Sequence, residues 1–131
     1  MSETTDRLER LITAERGGCC EDDLAARLES LRSLQESLPA NPDADLAALT
    51  ALGNDTRYTI VWLLAAAQRE LCVCEINPVV DVSDSAISHA LSDLTEAGLV
   101  TRRKDGRWRK YRASNGAVAL LTLLDGVVTD E

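Results

Sequence analysis

The sequence predicts a mainly α-helical fold with one small β-hairpin, and three observations support this prediction. Phe is absent and only four aromatic residues occur among the 131, so Leu, Val, Ile and Ala must build the core. Apolar residues recur at three- and four-residue spacing in several segments, which is typical of amphipathic helices. Extended character flanks Asp105-Gly106, the pair most favoured in a two-residue type I′ hairpin turn. At this length we expect a single domain with a modest core.

The N-terminal part divides into an arm and the start of the domain. Residues 1–23 are polar, and we expect them to form a mobile arm that carries Cys19-Cys20, with a short helix over Asp6–Ala14. The domain is predicted to span 24–131. Leucines recur at three- and four-residue spacing from Leu24 to Leu38, which predicts an amphipathic helix that stops near LPANPD.

Two further helices are predicted from capping residues and apolar content. Asp45 is a candidate cap for a helix that runs through Leu52. The sequence GNDT then breaks the chain, and Asn54 or Asp55 is expected to cap the next helix. Residues 58–67 are rich in apolar residues and good helix formers, so this helix is predicted to be buried, with Trp62 in the core.

The stretch RELCVCEINPVV places Cys72 and Cys74 one residue apart. On a regular helix, positions i and i+2 lie about 200° apart, so both thiols can meet one atom only on an irregular or first-turn backbone. Asn77-Pro78 favours such a backbone, because proline is tolerated in the first turn of a helix and breaks its interior. The pair is therefore predicted at a helix start, where backbone N–H groups and the helix dipole favour thiolate over thiol. Thiolates suit a soft metal or metalloid.

The stretch VSDSAISHALSDLTEAG predicts a helix with one buried and one exposed face. Ser83 is the expected N-cap and Gly98 the expected C′ residue. The predicted core stripe consists of Ile87, Ala90 or Leu91, and Leu94. The opposite face carries small or polar residues that are expected to project outward: Ser85, Ser88, His89 and Ser92.

The segment Thr101–Arg112 concentrates the positive charge of an acidic chain. It holds seven bases and one acid, and its charge of +6 leaves −8 − 6 = −14 for the rest of the protein. Trp108 and Tyr111 are expected to pack beneath this hairpin. From about Ser114 a very apolar helix follows, whose leucines cover more than one face, so we expect it to pack against a second chain as well as its own core.

A helix, a short turn, a helix that ends in glycine and a basic hairpin form, in this order, a winged helix-turn-helix. This order makes DNA binding the leading interpretation, with base edges read by the polar helix face and phosphates bound by the hairpin. The expected phosphate contacts are Arg102, Arg103, Lys104, Arg107 and Arg109. The expected contacts within the major groove are Ser85, Ser88, His89 and Ser92.

Composition indicates a soluble, cytoplasmic protein with no membrane partner. No apolar run approaches the roughly 18 residues of a transmembrane span, and the N-terminus lacks the apolar core of a signal peptide. Acids outnumber bases by 22 to 14 and nearly all bases are arginine, a composition that resembles proteins of salt-loving microbes. In the cytoplasm, four cysteines favour metal binding or redox chemistry over structural disulfides.

Three stretches together, ALGNDTRYTIVWLL, ELCVCEI and VSDSAISHALSDLTEAGLVTRRKDGRWRKYR, resemble the ArsR/SmtB family of metal-responsive repressors over Leu46 to Leu124. The resemblance implies a winged helix that dimerises through its terminal helices. It also implies a repressor that binds double-stranded operator DNA when metal-free and releases it on binding a metal or metalloid. ELCVC is the signature of the arsenite and cadmium/lead branch, so As(III) or Sb(III) is the implied inducer, with Cd(II), Pb(II) or Zn(II) as alternatives.

Two departures from the family pattern concern metal ligands. The best-known arsenite sensors place a third cysteine where this chain has Asn77, and many members carry histidine where it has Ala90. Some members complete the site with cysteines of the N-terminal arm, which implies a site of Cys72 and Cys74 with one or both of Cys19 and Cys20. Three thiolates suit trivalent arsenic, whereas cadmium, lead or zinc can use three or four. The zinc/nickel site on the last helix is not matched, because no histidine follows His89.

Two other functions remain open at this point. A thiol-redox regulator of the same fold would oxidise Cys72–Cys74 or Cys19–Cys20 and thereby change its operator affinity. A small metal-buffering protein without a role in transcription is opposed by the polar helix face and the basic hairpin. An enzyme is not expected, because the single histidine lies on the predicted DNA face and the chain has no Gly-rich phosphate loop.

Overall fold

The structure is a computed structural model that describes residues 3–17 and 21–129, and it falls into two compact units, 1–40 and 41–131. The first unit consists of α1 (Glu3–Arg16) and α2 (Glu21–Gln35). Ion pairs join the two helices, with 2.9 Å between Arg27 Nη2 and Glu15 Oε1 and 3.4 Å between Arg16 Nη1 and Asp23 Oδ1. Within the described residues, no helix has the length and apolar character needed to cross a membrane.

The first unit differs from the expected arm and domain start. Helix α1 covers and extends the predicted helix over Asp6–Ala14. The boundary between the units lies after residue 40, whereas the sequence places it after residue 23. Within the first unit, α2 forms ion pairs with α1. Leu31 and Leu34 of α2, and Leu38 three residues after its end, are exposed in the single chain.

The second unit is mainly α-helical with a three-stranded antiparallel sheet. Its elements are α3 (Asp43–Leu52), α4 (Asp55–Ala67), β1 (Leu71–Cys72), α5 (Val73–Ile76), α6 (Asp84–Glu96), β2 (Val100–Asp105), β3 (Trp108–Ala113) and α7 (Asn115–Thr129). The strand order is β1-β3-β2. In the register of the sheet, Cys72 lies opposite Lys110, and Lys110 lies opposite Arg103. This is a winged helix-turn-helix, as predicted, and β1 is a third strand that the sequence does not predict.

Local capping residues set the ends of the helices in the second unit. Asn54 caps α4 by accepting a hydrogen bond from the backbone N–H of Arg57, and Ser83 caps α6 in the same way from Ala86. Gly98 (φ +80°) follows α6, and the N–H of Leu99 reaches the carbonyl of Leu94, which makes a Schellman ending. These predictions are confirmed. The prediction that Asp45 caps α3 is wrong, because the helix begins at Asp43, two residues before Asp45, and Pro42 occupies the N-cap position.

The hairpin turn lies one residue later than predicted. Asp105 pairs with Trp108 across the hairpin, so the two-residue loop is Gly106-Arg107 rather than Asp105-Gly106. Gly106 has φ +64°, whereas Arg107 does not have a positive φ. Glycine at the first central position with a positive φ is the requirement of a type II′ turn, and the twist of this turn also matches a hairpin.

The core of the second unit is formed by apolar side chains from residues 51–121. Ile87, Ala90, Leu91 and Leu94 are all buried, which confirms the predicted stripe of α6. They pack with buried residues of α4, and Trp62 packs partly against this core. Each fully buried aliphatic side chain contributes about 1.5–3 kcal/mol relative to exposure, so this stripe fixes α6 firmly and turns its polar face outward.

Candidate thiol site and nucleic-acid interface

Cys72 and Cys74 lie at the junction of β1 and α5, with their sulfur atoms joined in a disulfide. Cys72 is the last residue of β1 and the N-cap of α5, with extended backbone angles (φ −93°, ψ 167°), and Cys74 is the second residue of the helix. The change from strand to helix brings the two Cα atoms to 5.3 Å and the sulfurs onto one side. The predicted helix start is confirmed, although Pro78 follows the end of α5 instead of lying in its first turn.

A carboxylate fixes the backbone at Cys72. The Cys72 N–H donates a hydrogen bond to Glu75 Oε1 (3.1 Å), and Arg69 Nη1 lies 3.1 Å from Glu75 Oε2. The pKa of Glu75 is lowered, first by the hydrogen bond from the Cys72 backbone and then by Arg69. Cys72 is only 9% exposed, whereas Cys74 is exposed. A ligand therefore reaches the pair from the side of Cys74.

The reduced pair would supply two soft donors that can meet one atom, which fits part of the ligand set of a thiophilic ion. In the described portion of the chain, no three His, Cys, Asp or Glu side chains come together in a way that could hold a metal ion. Cys19 and Cys20, the predicted additional ligands, lie outside the described residues.

The cysteine pair, α6 and the hairpin line an open cleft of about 480 Å³. Its lining includes Cys72, Cys74, Ser88, Ser92, Arg102, Arg107, Trp108 and Arg109. Trp108 also lines a smaller adjoining pocket with both cysteines and is 53% exposed. It therefore lies beside the thiol site, and the prediction that it packs beneath the hairpin is wrong. Tyr111 is buried there, as predicted.

The predicted DNA-contacting residues are all exposed, but their surroundings differ. Ser88 and Ser92 line the cleft, whereas Ser85 and His89 lie elsewhere on the exposed face of α6. Among the hairpin bases, Arg102, Arg107 and Arg109 line the cleft. These three arginines form no ion pair with any residue that the structure describes, and Lys104 is exposed.

Arg103 is the exception among the predicted phosphate contacts, because it is held by Glu70. Arg103 Nε lies 2.9 Å from Glu70 Oε2, and Arg103 Nη2 lies 2.6 Å from Glu70 Oε1. A second acid, Asp105, lies 3.4 Å from Lys110 Nζ. Glu70 lies two residues before Cys72. The sequence contains no pattern that predicts its contact with Arg103.

Asn77, the C-cap residue of α5, contacts the start of α6. Its Nδ2 atom donates to Asp84 Oδ1 at 2.6 Å and lies 3.4 Å from the carbonyl oxygen of Val82. The short helix that carries Cys74 is thus joined by a side-chain hydrogen bond to the helix that carries the polar face.

Comparison with known proteins places this arrangement in a family. Residues 54–102 match the family model "Bacterial regulatory protein, arsR family". A putative arsenical resistance operon repressor ArsR of Halobacterium salinarum is 54% identical over 94% of this chain and 96% of its own length. A second putative arsenical resistance operon repressor of that organism, ArsR2, is 48% identical over 66% of this chain and 77% of its own length.

A solved structure agrees in fold as well as in sequence. The homodimeric winged helix-turn-helix DNA-binding domain of Mb0332 from Mycobacterium bovis, a possible ArsR-family regulator, is 31% identical, with a TM-score of 0.58. The match covers 72% of this chain and 91% of that domain. With its winged fold, its cysteine pair at a helix start and a relative that matches it over nearly its full length, the chain belongs to the ArsR family of bacterial regulatory proteins.

Proposed function

We propose that this protein is a homodimeric transcriptional repressor that binds operator DNA and releases it when As(III) or a related thiophilic ion binds the Cys72–Cys74 pair. One observation carries the proposal: the cysteine pair, the α6 residues Ser88 and Ser92, and three arginines of the hairpin line the same cleft. An ion bound at the sulfurs lies directly beside the surface that would meet DNA. The repressor names of its Halobacterium relatives point to the same role.

DNA binding would place α6 in the major groove and the hairpin arginines on the phosphates. The exposed serines and His89 of α6 carry hydroxyl and imidazole groups that can reach base edges. Arg102, Arg107 and Arg109 form no ion pair with described residues, so phosphate binding would not require an existing pair to break. In a salt-rich cytoplasm counterion release contributes little, so we expect base and shape readout to provide a larger share of the affinity.

A second copy of the chain would cover apolar residues that are exposed in one copy. On α7, Val118 and Leu123 are exposed, and on α3, Leu46 and Leu49 are exposed. A two-fold dimer would place two α6 helices in successive major grooves of a symmetric operator.

Inducer binding would start from the reduced cysteines. Each S–As bond replaces an As–OH bond of arsenite and releases one water, so Cys72 and Cys74 supply two of the three sulfurs that As(III) takes. Cys19 or Cys20 of the arm would supply the third. A shift of α5 would then reach α6 through the hydrogen bond between Asn77 and Asp84 and would disturb the match between the two half-sites.

The direct test is operator-DNA anisotropy of the fully reduced protein in concentrated KCl, titrated with arsenite and separately with cadmium. We expect stoichiometric arsenite to release the DNA, with thiolate–ligand absorption appearing over the same range. If only cadmium releases it, a site with more sulfur ligands is favoured. Tight DNA binding that neither ion disturbs would contradict the proposed inducer, and no operator binding at all would revive the metal-buffering alternative.

Arg107→Ala is expected to weaken binding to all DNA sequences alike. Arg107 lies in the hairpin loop, lines the cleft and forms no ion pair with described residues, which suits a phosphate contact. Losing one such contact reduces the slope of log Kd against log salt by about 1. Anisotropy over a salt series on operator and random DNA measures both effects. Arg32→Ala serves as the control, because it also removes one positive charge but lies in α2, distant in sequence from the hairpin. A loss confined to operator DNA would assign Arg107 to base reading instead.

A thiol-redox regulator is the second candidate, and the disulfide between Cys72 and Cys74 favours it. Oxidation of the pair would remove both ligands and alter the same cleft. Thiol counting after peroxide, run in parallel with operator anisotropy, separates the two functions. If peroxide releases the operator DNA when two thiols per chain have been lost, and arsenite has no effect, the redox function is favoured.

A further inference from the structure

Glu70 connects the segment that carries the cysteines to the far strand of the hairpin. It precedes β1 directly, and its carboxylate holds Arg103 of β2 through two nitrogen atoms at 2.6–3.2 Å. The two residues are 33 positions apart in the sequence. Because the strand order is β1-β3-β2, this ion pair spans the central strand and joins the two edges of the sheet.

Glu70 immediately precedes the two-residue strand that ends at Cys72. Residues directly opposite each other in a sheet lie on one face, and in this register Cys72 lies opposite Lys110 and Lys110 lies opposite Arg103. Cys72 therefore shares a face with Arg103, the residue that Glu70 holds. A displacement at Cys72 therefore reaches Arg103 by the backbone pairing of the sheet and by the Glu70 side chain.

We propose that Glu70 is a positioning residue that transmits inducer binding at the cysteine pair to the basic hairpin. The proposal rests on the proposed function. It adds a path by which inducer binding affects the hairpin to the path that leads to α6. With the cysteines free of ligand, Glu70 holds Arg103 and fixes the hairpin relative to β1. When a thiophilic ion draws the sulfurs toward itself, β1 and Glu70 move, and the hairpin arginines lose their alignment with the phosphates.

The geometry of the contact suits this role better than a role in stability. A bidentate arginine–carboxylate pair is directional and short, whereas an ion pair that is partly open to solvent, as this one is, adds little to the free energy of unfolding. The hydrogen bonds from Arg103 lower the pKa of Glu70, and the same contact raises the pKa of Arg103. Both groups therefore stay ionised at neutral pH and the contact persists there.

Two routes leave the cysteine segment, and they can be separated. The contact between Asn77 and Asp84 leads to α6, and the contact between Glu70 and Arg103 leads to the hairpin. If only the first transmits the signal, removing the Glu70 charge leaves induction unchanged.

The measurement is the ratio of operator Kd with and without saturating arsenite, obtained by anisotropy on the reduced full chain. Coupling between sites is typically about 5–150-fold, and we expect a wild-type ratio in that range. Glu70→Gln is expected to lower the ratio to about twofold or less, while the affinity for arsenite, followed by thiolate absorption without DNA, stays near wild type. The control is Glu36→Gln, which makes the same change in net charge at an exposed residue of the first unit and should keep the full ratio.

The exchanged pair, Glu70→Arg with Arg103→Glu, provides the rescue. Its ratio should recover toward the wild-type value although its absolute affinity differs, because the ratio is normalised within each variant. A full wild-type ratio in Glu70→Gln overturns the proposal. If Glu70→Gln instead loses all operator binding, the double variant with the exchanged pair is the deciding test. The proposal is also overturned if arsenite does not release DNA from that double variant. A wild-type protein that ignores arsenite would reject the proposed function itself, which is a different outcome.

Discussion

Replacing Cys72 by Ser is expected to abolish release of operator DNA by arsenite and to leave DNA binding intact. Serine removes one of the two sulfur donors at the junction of β1 and α5, and a hydroxyl is a poor ligand for a soft ion. The ratio of operator Kd with and without arsenite should fall from the typical range of about 5–150-fold to about 1. Anisotropy on reduced protein measures it.

Cys74→Ser is the companion variant, because Cys74 is exposed and Cys72 is buried. Cys74→Ser removes a sulfur donor without disturbing packing. We therefore expect that arsenite no longer releases DNA from either variant. If Cys72→Ser loses DNA binding while Cys74→Ser keeps both binding and release, the buried cysteine is structural and the sensor assignment is wrong.

Ile87→Ala is expected to cost the winged unit about 2–5 kcal/mol in free energy of unfolding. Ile87 is completely buried in the stripe that fixes α6, so the substitution leaves a cavity under this helix, which we propose reads DNA. A domain of this size has a total of about 5–15 kcal/mol, so operator binding should weaken at temperatures where the wild type is unaffected. Urea denaturation followed by circular dichroism gives the difference.

The control for this variant is Val79→Ala, at a residue that is 62% exposed. Surface substitutions of this kind usually change the free energy of unfolding by less than about 0.5 kcal/mol. Equal losses at both positions would show that the core does not fix α6 in the way its burial indicates.

The parts of the fold that follow from short-range chemistry could be predicted from the sequence. The bounds of α6 depend on Ser83 and Gly98, which act on their immediate neighbours. The junction at Cys72 likewise depends on the geometry of adjacent residues. The sequence places the hairpin turn one residue too early, because Asp105-Gly106 and Gly106-Arg107 both satisfy a two-residue loop. Only the pairing of Asp105 with Trp108 decides between them.

Features that depend on distant parts of the chain could not be predicted. Strand β1 has two residues, too few to show alternation, and it exists because β3 pairs with it. The contact between Glu70 and Arg103 requires that strand order and has no local pattern. The same limit applies to the leucines of α2, whose spacing predicts a helix but does not identify the unit it joins. For the candidate site, the cysteine pair and the cleft arginines are evident in the sequence, and the engagement of Arg103 is not.

The separate core of the second unit has an evolutionary consequence. Every side chain of that core cluster comes from residues 51–121, so substitutions in the first 40 residues remove no side chain from the cluster that packs against α6. Variation at Cys19 and Cys20 therefore leaves the composition of that core unchanged. If these cysteines supply ligands as proposed, a lineage exposed to a different ion could acquire a new ligand set while it keeps the same core.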